Sequence, residues 1–178
     1  LLEAVELLSG ETDQFEIHIH GWIPEEFEWR FQRKLRTLER FVFFHGPYPN
    51  SSITEILQDA DAVIVPSVWW ENCPLTILEA FIARTPVIAS DIGGMSELVH
   101  HGVNGFLFQV GNAKDLAAKM RIVIEDPQQV GQFRENLQKE HVKSIEEQAL
   151  ELGEIYKNLL RQTQISTRQS QIAGVSRE

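Results

Sequence analysis

The sequence predicts an α/β fold built on a doubly wound parallel sheet. Three observations carry that reading. Short runs rich in Val, Ile and Phe recur along the chain. Amphipathic helical patterns separate them, as in βα units. Several of the runs are apolar without alternation, as in strands covered on both faces. The chain has 178 residues, enough for one domain with a buried core.

The elements follow in order. Leu1, Leu2, Val5 and Leu8 fall at helical spacing, and nothing ahead of them can cap a helix. Residues 1–9 therefore read as the end of a helix that begins upstream, in a longer protein. Residues 15–21 (FEIHIHG) form a strand, and 25–38 a helix with Pro24 at a favourable first-turn position. Residues 41–46 (FVFFHG) are a strand of nearly continuous apolar character. A short helix at 52–58 is expected to be capped by Ser51 or Ser52. Strand 62–66 (AVIVP), helix 75–83 and strand 86–90 (PVIAS) follow, then a helical turn at 96–99 and strand 105–110. Helices at 114–125, 128–139 and 145–161 complete a domain of residues 1–161. Residues 162–178 are polar and aperiodic, and are expected to form a disordered tail.

Charge and cysteine content narrow the function classes. A formal net charge of −10 argues against nucleic acid or an anionic membrane as the main partner. Cys73 is the single cysteine, so no internal disulfide is possible and the cytoplasm is the expected compartment. No apolar run is long enough to span a bilayer.

In a doubly wound sheet, ligands bind at the carboxyl ends of the strands. The loops to weigh are those after each strand, at 21–24, 46–49, 67–74 and 91–97. The third is the richest. It carries Trp69, Trp70, Glu71, Asn72, Cys73 and Pro74, and a helix follows. A helix N-terminus presents unpaired amides and a partial positive charge, which suit a phosphate. The donors here are the amides of Leu75 and Thr76, with Pro74 pre-setting the first turn. Glu71 and Glu79 flank them, about 12 Å apart by rise alone if the span were fully helical. Two carboxylates around an anion site fit a nucleoside diphosphate sugar, one on the ribose and one on the sugar. Taken by their spacing alone, the same acids read more readily as a solvated loop residue and a helix-surface residue.

The region 66–107 is similar to the signature of family 4 retaining glycosyltransferases of the GT-B fold. The likeness rests on Pro66-Ser67, Glu71, Glu79-Ala80, Arg84-Thr85-Pro86-Val87-Ile88-Ala89, Asp91-Ile92-Gly93-Gly94, Glu97 and Asn104-Gly105-Phe106-Leu107. It extends more loosely over 15–161. The resemblance implies the Rossmann-like, donor-binding half of a GT-B fold, lacking its first strand. It gives Glu79 the ribose hydroxyls and Glu71 the transferred sugar, near the reacting carbon. It implies that Asn72, Cys73, Pro74, Leu75 and Thr76 hold sugar and phosphate largely through backbone. It also brings Gly21, Gly46 and Tyr48 to the donor, the last two at the base. Gly93 and Gly94 form either a loop that approaches sugar or acceptor, or a plain tight turn.

Departures from the pattern qualify this. The family places an Arg and a Lys in a loop that precedes anything present here, to neutralise the leaving diphosphate. Arg30, Arg33, Lys34 and Arg36 lie on another predicted helix and read as a solvated face. The family's absent strand sits mid-sheet. Strands from its two sides must meet directly, pair with another chain, or leave backbone groups unpaired. Relatives often have Gly-Phe-Gly where this chain has Asn72, Cys73 and Pro74.

Other residues are read plainly. Cys73 has no His placed beside it by sequence and is expected to be a small buried residue. His100 and His101 lack metal-ligand spacing, and no metal or cofactor is expected. His18 and His20 share a strand face and are expected to be structural, while Trp22 is expected to be a packed surface aromatic. The function expected is transfer of a sugar from a nucleoside diphosphate sugar to an acceptor held by an N-terminal domain outside this chain. The alternative is a non-catalytic module that binds a nucleotide sugar or a partner, the fragment alone being inactive.

Overall fold

Strands form where β-branched and aromatic residues cluster, and helices where apolar residues return every three or four positions. The structure is a computed structural model that describes the backbone of residues 1–175 and the side chains of residues 1–161. Helix α1 (Leu2–Ser9) leads to β1 (Ile17–His20), α2 (Glu25–Thr37) and β2 (Val42–Gly46). A 3-10 turn (Asn50–Ser52) opens α3 (Ile53–Gln58), and β3 (Val63–Val65), α4 (Leu75–Ile82) and β4 (Val87–Ser90) follow. Then come α5 (Gly94–Leu98), β5 (Gly105–Phe108), α6 (Ala113–Glu125), α7 (Pro127–Leu137) and α8 (Ile145–Val175).

All strand pairs are parallel, as the sequence predicts, but the described strands form two sheets. One is β1–β2, in register Ile17↔Val42 and Ile19↔Phe44. The other is β3–β4–β5, with Val65↔Ala89 and Ile88↔Phe106. Strands β1 and β3 do not pair, so each keeps one edge without a strand partner among the described residues. Of the three arrangements open to the flanking strands, direct pairing is the one the described residues do not show.

The open edges correct two expectations of burial. Only β4, the middle strand, is buried along its whole length. Strand β3 is half-buried throughout, despite an apolar sequence. Strand β2 alternates: Val42 is buried and Phe44 half-buried, while Phe43 and His45 are exposed. A sheet covered on one face imposes a period of two, even on the apolar run FVFF.

One apolar cluster lies beneath both sheets. Ala4, Val5 and Leu8 of α1 meet Val42 of β2 and Ile88 of β4. Phe106 and Phe108 of β5, Leu116 and Met120 of α6 and Phe133 of α7 complete it. Ile17, Ile19 and Ile64 pack against it. Each fully buried side chain of this size contributes about 1.5–3 kcal/mol.

Helix ends show which capping expectations hold. Ser52 makes no cap hydrogen bond, because the preceding 3-10 turn leaves it in a helical conformation rather than the extended one a cap requires. Pro24 sits at the N-cap of α2, one position ahead of the first turn. Asn112 and Asp126 do cap, accepting from the amides two and three residues on.

The described chain divides into two units, Leu1–Glu140 and His141–Glu178. The first holds every strand and the whole core. Helix α8 lies in the second and continues past residue 161, where the sequence reading ends the domain. The side chains of 162–175 and all of 176–178 lie outside the described residues, and much of the expected tail with them. Among the described residues, no helix is long and apolar enough to cross a membrane.

Candidate functional site

Two loops at the carboxyl ends of β3 and β4 touch backbone to backbone. The Gly94 amide donates to the Glu71 carbonyl at 2.7 Å. A Cβ on Gly94 would stand 2.2 Å from the Asn72 carbonyl oxygen, and one on Gly93 3.0 Å from that of Glu71. Gly93 also has a φ of 55°, which a side chain would strain. The pair of glycines is therefore more than a tight turn: their bareness lets the Glu71–Asn72 backbone dock. Asp91 braces the turn by accepting from the Ser96 hydroxyl at 2.7 Å.

Helix α4 starts directly after this loop. Pro74 is its buried N-cap, in an extended conformation. The Ile77 amide reaches back to the Pro74 carbonyl at 3.0 Å, and the amides of Leu75 and Thr76 have no acceptor among the described residues. Ile77, Ala80 and Phe81 bury the opposite side of α4 and fix its axis. Glu79 follows Leu75 by four positions and Thr76 by three, so it shares their face. Side chains on a helix tilt toward its N-terminus, which leans Glu79 toward the free amides. Glu71 and Glu79 are both half-buried, whereas Asn72, Leu75 and Thr76 are exposed. Cys73 is exposed too, against the expectation that it is buried. The buried position at this bend goes to Pro74 instead.

A second cluster caps β1 and β2. The Gly21 amide donates to the Gly46 carbonyl at 2.8 Å, with φ of 133° and 72° at the two glycines. Tyr48 meets the His20 ring edge-on at 5.8 Å between centroids. His20 also stacks on His45 at 4.5 Å, and His45 on His18 at 5.1 Å. Burial holds the His20 pKa below its ordinary value, reinforced by repulsion from His45 and His18. The His18 ring also lies 2.9 Å from His45 and 3.2 Å from Glu16. Sequence reasoning missed His45. Its signal is the His-Gly dipeptide that ends both strands, at 20–21 and again at 45–46. Trp22 is 75% exposed beside this cluster.

The structure thus gathers Glu71, Asn72, Gly93 and Gly94 with the α4 terminus, and gathers Gly21, Gly46 and Tyr48 separately. No hydrogen bond or ring contact joins the two groups among the described residues. Two of the four cations of α2 are engaged elsewhere, Lys34 with Glu6 and Arg33 over the Trp29 ring. His101 is also engaged, its Nδ1 accepting from the Leu107 amide at 3.0 Å.

Comparisons with known proteins extend this geometry. The model of the family "glycosyl transferases group 1" matches residues 1–140, the span of the first unit. The chain is 31% identical over 122 residues to the amylovoran biosynthesis glycosyltransferase AmsK of Erwinia amylovora, over 66% of this chain and 30% of that protein. It is 38% identical over 120 residues to a glycogen synthase of Mycobacterium tuberculosis, over 67% of this chain and 26% of that one. Among solved structures, Anabaena HepE in complex with UDP superposes with a TM-score of 0.70 at 28% identity, over 77% of this chain and 38% of that one. The chain therefore spans 26% to 38% of the length of these three proteins.

Proposed function

The chain belongs to the glycosyl transferases group 1 family, and from that premise we propose that it is the donor-binding part of a retaining glycosyltransferase. The enzyme moves a sugar from a nucleoside diphosphate sugar to an acceptor held by another part of the full-length protein. The observation that carries this reading is the docking of Glu71–Asn72 on Gly93–Gly94, directly ahead of the free amides of α4. In this reading the Glu71 and Glu79 carboxylates lie on either side of a site suited to an anion.

The roles follow from chemistry. The Leu75 and Thr76 amides, with the α4 dipole, receive the diphosphate. Glu79 accepts from the ribose hydroxyls in charge-assisted hydrogen bonds. Backbone groups of Asn72, Cys73 and Pro74 line the sugar. Glu71 orients that sugar and stabilises the positive charge that develops on its anomeric carbon as the glycosidic bond breaks. The leaving diphosphate takes the acceptor proton, so Glu71 is not a general base and no metal is required. Gly21, Gly46 and Tyr48 receive the base. The UDP held by HepE supports a uridine donor. The compartment proposed is the cytoplasm, where an exposed thiol such as Cys73 stays reduced.

A second reading makes this chain a binding module without turnover. It is favoured by the engagement of Lys34 and Arg33 of α2 away from the site, since a leaving diphosphate needs a cation. Calorimetric titration with UDP tests the donor reading shared by both. Glu79→Gln is expected to weaken UDP binding about 10- to 100-fold, the worth of hydrogen bonds to a charged group. An unchanged affinity would remove Glu79 from the ribose. An isotope-labelled donor, offered to this chain and to the full-length protein, separates enzyme from module: turnover by neither leaves the module.

A further inference from the structure

Strands β1 and β2 end alike, on His-Gly, and the donor site makes no use of their histidines. Five rings run in one row across this sheet: Phe43, His18, His45, His20 and Tyr48. Their centroids are 5.3, 5.1, 4.5 and 5.8 Å apart in turn. His18 and His20 alternate with Ile17 and Ile19, as Phe43 and His45 do with Val42 and Phe44. The row therefore lies on the face turned away from the core, which takes Ile17, Ile19 and Val42. The His18 side chain is 48% exposed, so protons reach the row from solvent. At its far end the Gly21 amide donates to the Gly46 carbonyl and holds the two strand ends together.

The row has room for one added proton and not for two. Between His18 Nδ1 and His45 Nε2, 2.9 Å apart, one nitrogen donates and the other accepts. A proton added to His18 is held there, Nδ1 donating to His45 and Nε2 to Glu16 at 3.2 Å. A proton added to His45 as well makes its Nε2 a donor, and two N–H groups then face each other. One added to His20 puts like charges on rings 4.5 Å apart. Among the described residues, Glu16 is the one carboxylate in contact with the row, and Tyr48 its one other titratable ring. Helices α1 and α2 lie on the opposite face, through Val5 and through Phe31 against Phe44. No charged group of either helix contacts the imidazoles among the described residues.

Burial, then repulsion from His45 and His18, holds the His20 pKa below its ordinary value. The unfolded chain takes up a proton at about pH 6.5 that the folded row refuses, so stability falls as pH drops through that value. The loss stops growing once His20 is protonated in the folded state too.

We propose that the stacked imidazoles are a proton-operated latch, shut at neutral pH, which parts the His-Gly ends of β1 and β2 when more than one ring is protonated. Gly21, Gly46 and Tyr48 part with them, so nucleotide binding at this end weakens in acid. That consequence rests on the donor reading above; the latch itself does not.

Hydrogen exchange reads the latch through the Gly21 amide, with the amides of β4 as internal reference. Measurements at about pH 7.5 and about pH 5.5 bracket the imidazole range. After correction for intrinsic rates, Gly21 protection is expected to fall about tenfold or more at the lower pH, while β4 keeps its own. His20→Gln and His45→Gln should each lessen the fall. His100→Gln, which removes an exposed histidine of another loop, should keep it. Equal Gly21 protection at both pH values overturns the latch, and so does an undiminished fall in all three variants. A parallel loss in β4 overturns it too, because the whole fold is then failing. Calorimetric titration with UDP at the same two pH values forms the second arm. Affinity should fall about tenfold in the unaltered chain and not in His45→Gln, a comparison that cancels protonation of UDP itself. Gly21 protection that falls while UDP fails to bind, or binds both proteins alike at both pH values, sinks the assignment of the base to this end and leaves the latch standing.

Discussion

Arg84 occupies a backbone conformation that glycine usually fills. Its φ is 63°, the sole positive value outside glycine among the described residues. The position closes α4: the Arg84 amide donates to the Phe81 carbonyl and the Thr85 amide to that of Ala80, at 3.0 and 2.8 Å. This is the pattern of a helix ended by a left-handed residue. A side chain there costs about 1–2 kcal/mol. Arg84→Gly is therefore expected to stabilise the protein by about 1 kcal/mol after the entropy that glycine loses on folding. Thermal melting should show a rise of about 2–4 °C, and an unchanged midpoint would mean that Arg84 gains compensating contacts. The motif in which Arg84 sits was legible in the sequence; its backbone angle was not. Cys73 and Pro74 show the same limit. Both are small and adjacent, and which of them is buried depends on how the loop bends onto α4.

At the scale of elements, the site depends on one loop lying on one turn. Gly94→Ala would drive a methyl group to 2.2 Å from the Asn72 oxygen, so the loop and the turn must part. The expected cost is about 2–4 kcal/mol in urea denaturation, with UDP binding weakened as Glu71 is displaced. Gly131 is the contrast. It lies inside α7 with nothing within 4 Å of its Cβ direction, so Gly131→Ala should stabilise by about 0.5–1 kcal/mol. Equal effects at the two glycines would refute the docking. The sequence placed Gly93 and Gly94 in a loop after a strand and left their role open. A close approach of two backbones is a property of both segments at once, and neither segment states it alone.

At the scale of the molecule, one core supports two sheets. Leu8 is fully buried in the cluster that joins β2 to β4 and β5. Leu8→Ala should destabilise by about 2–5 kcal/mol, the usual range for an emptied leucine site. Hydrogen exchange should then speed up in β1–β2 and in β3–β4–β5 together. Faster exchange confined to β1–β2 would mean that the sheets are separate folding units. The sequence by itself determined the order of elements, their parallel pairing and the acids beside α4, because periodicity, chain order and residue chemistry are local. Only the tertiary structure decided that the strands form two sheets with open edges, that His45 stacks between His18 and His20, and that Glu71 rests on Gly94 with Trp69 and Trp70 exposed beside it. Those are relations between segments far apart in the chain, fixed by which surfaces find a partner and which do not.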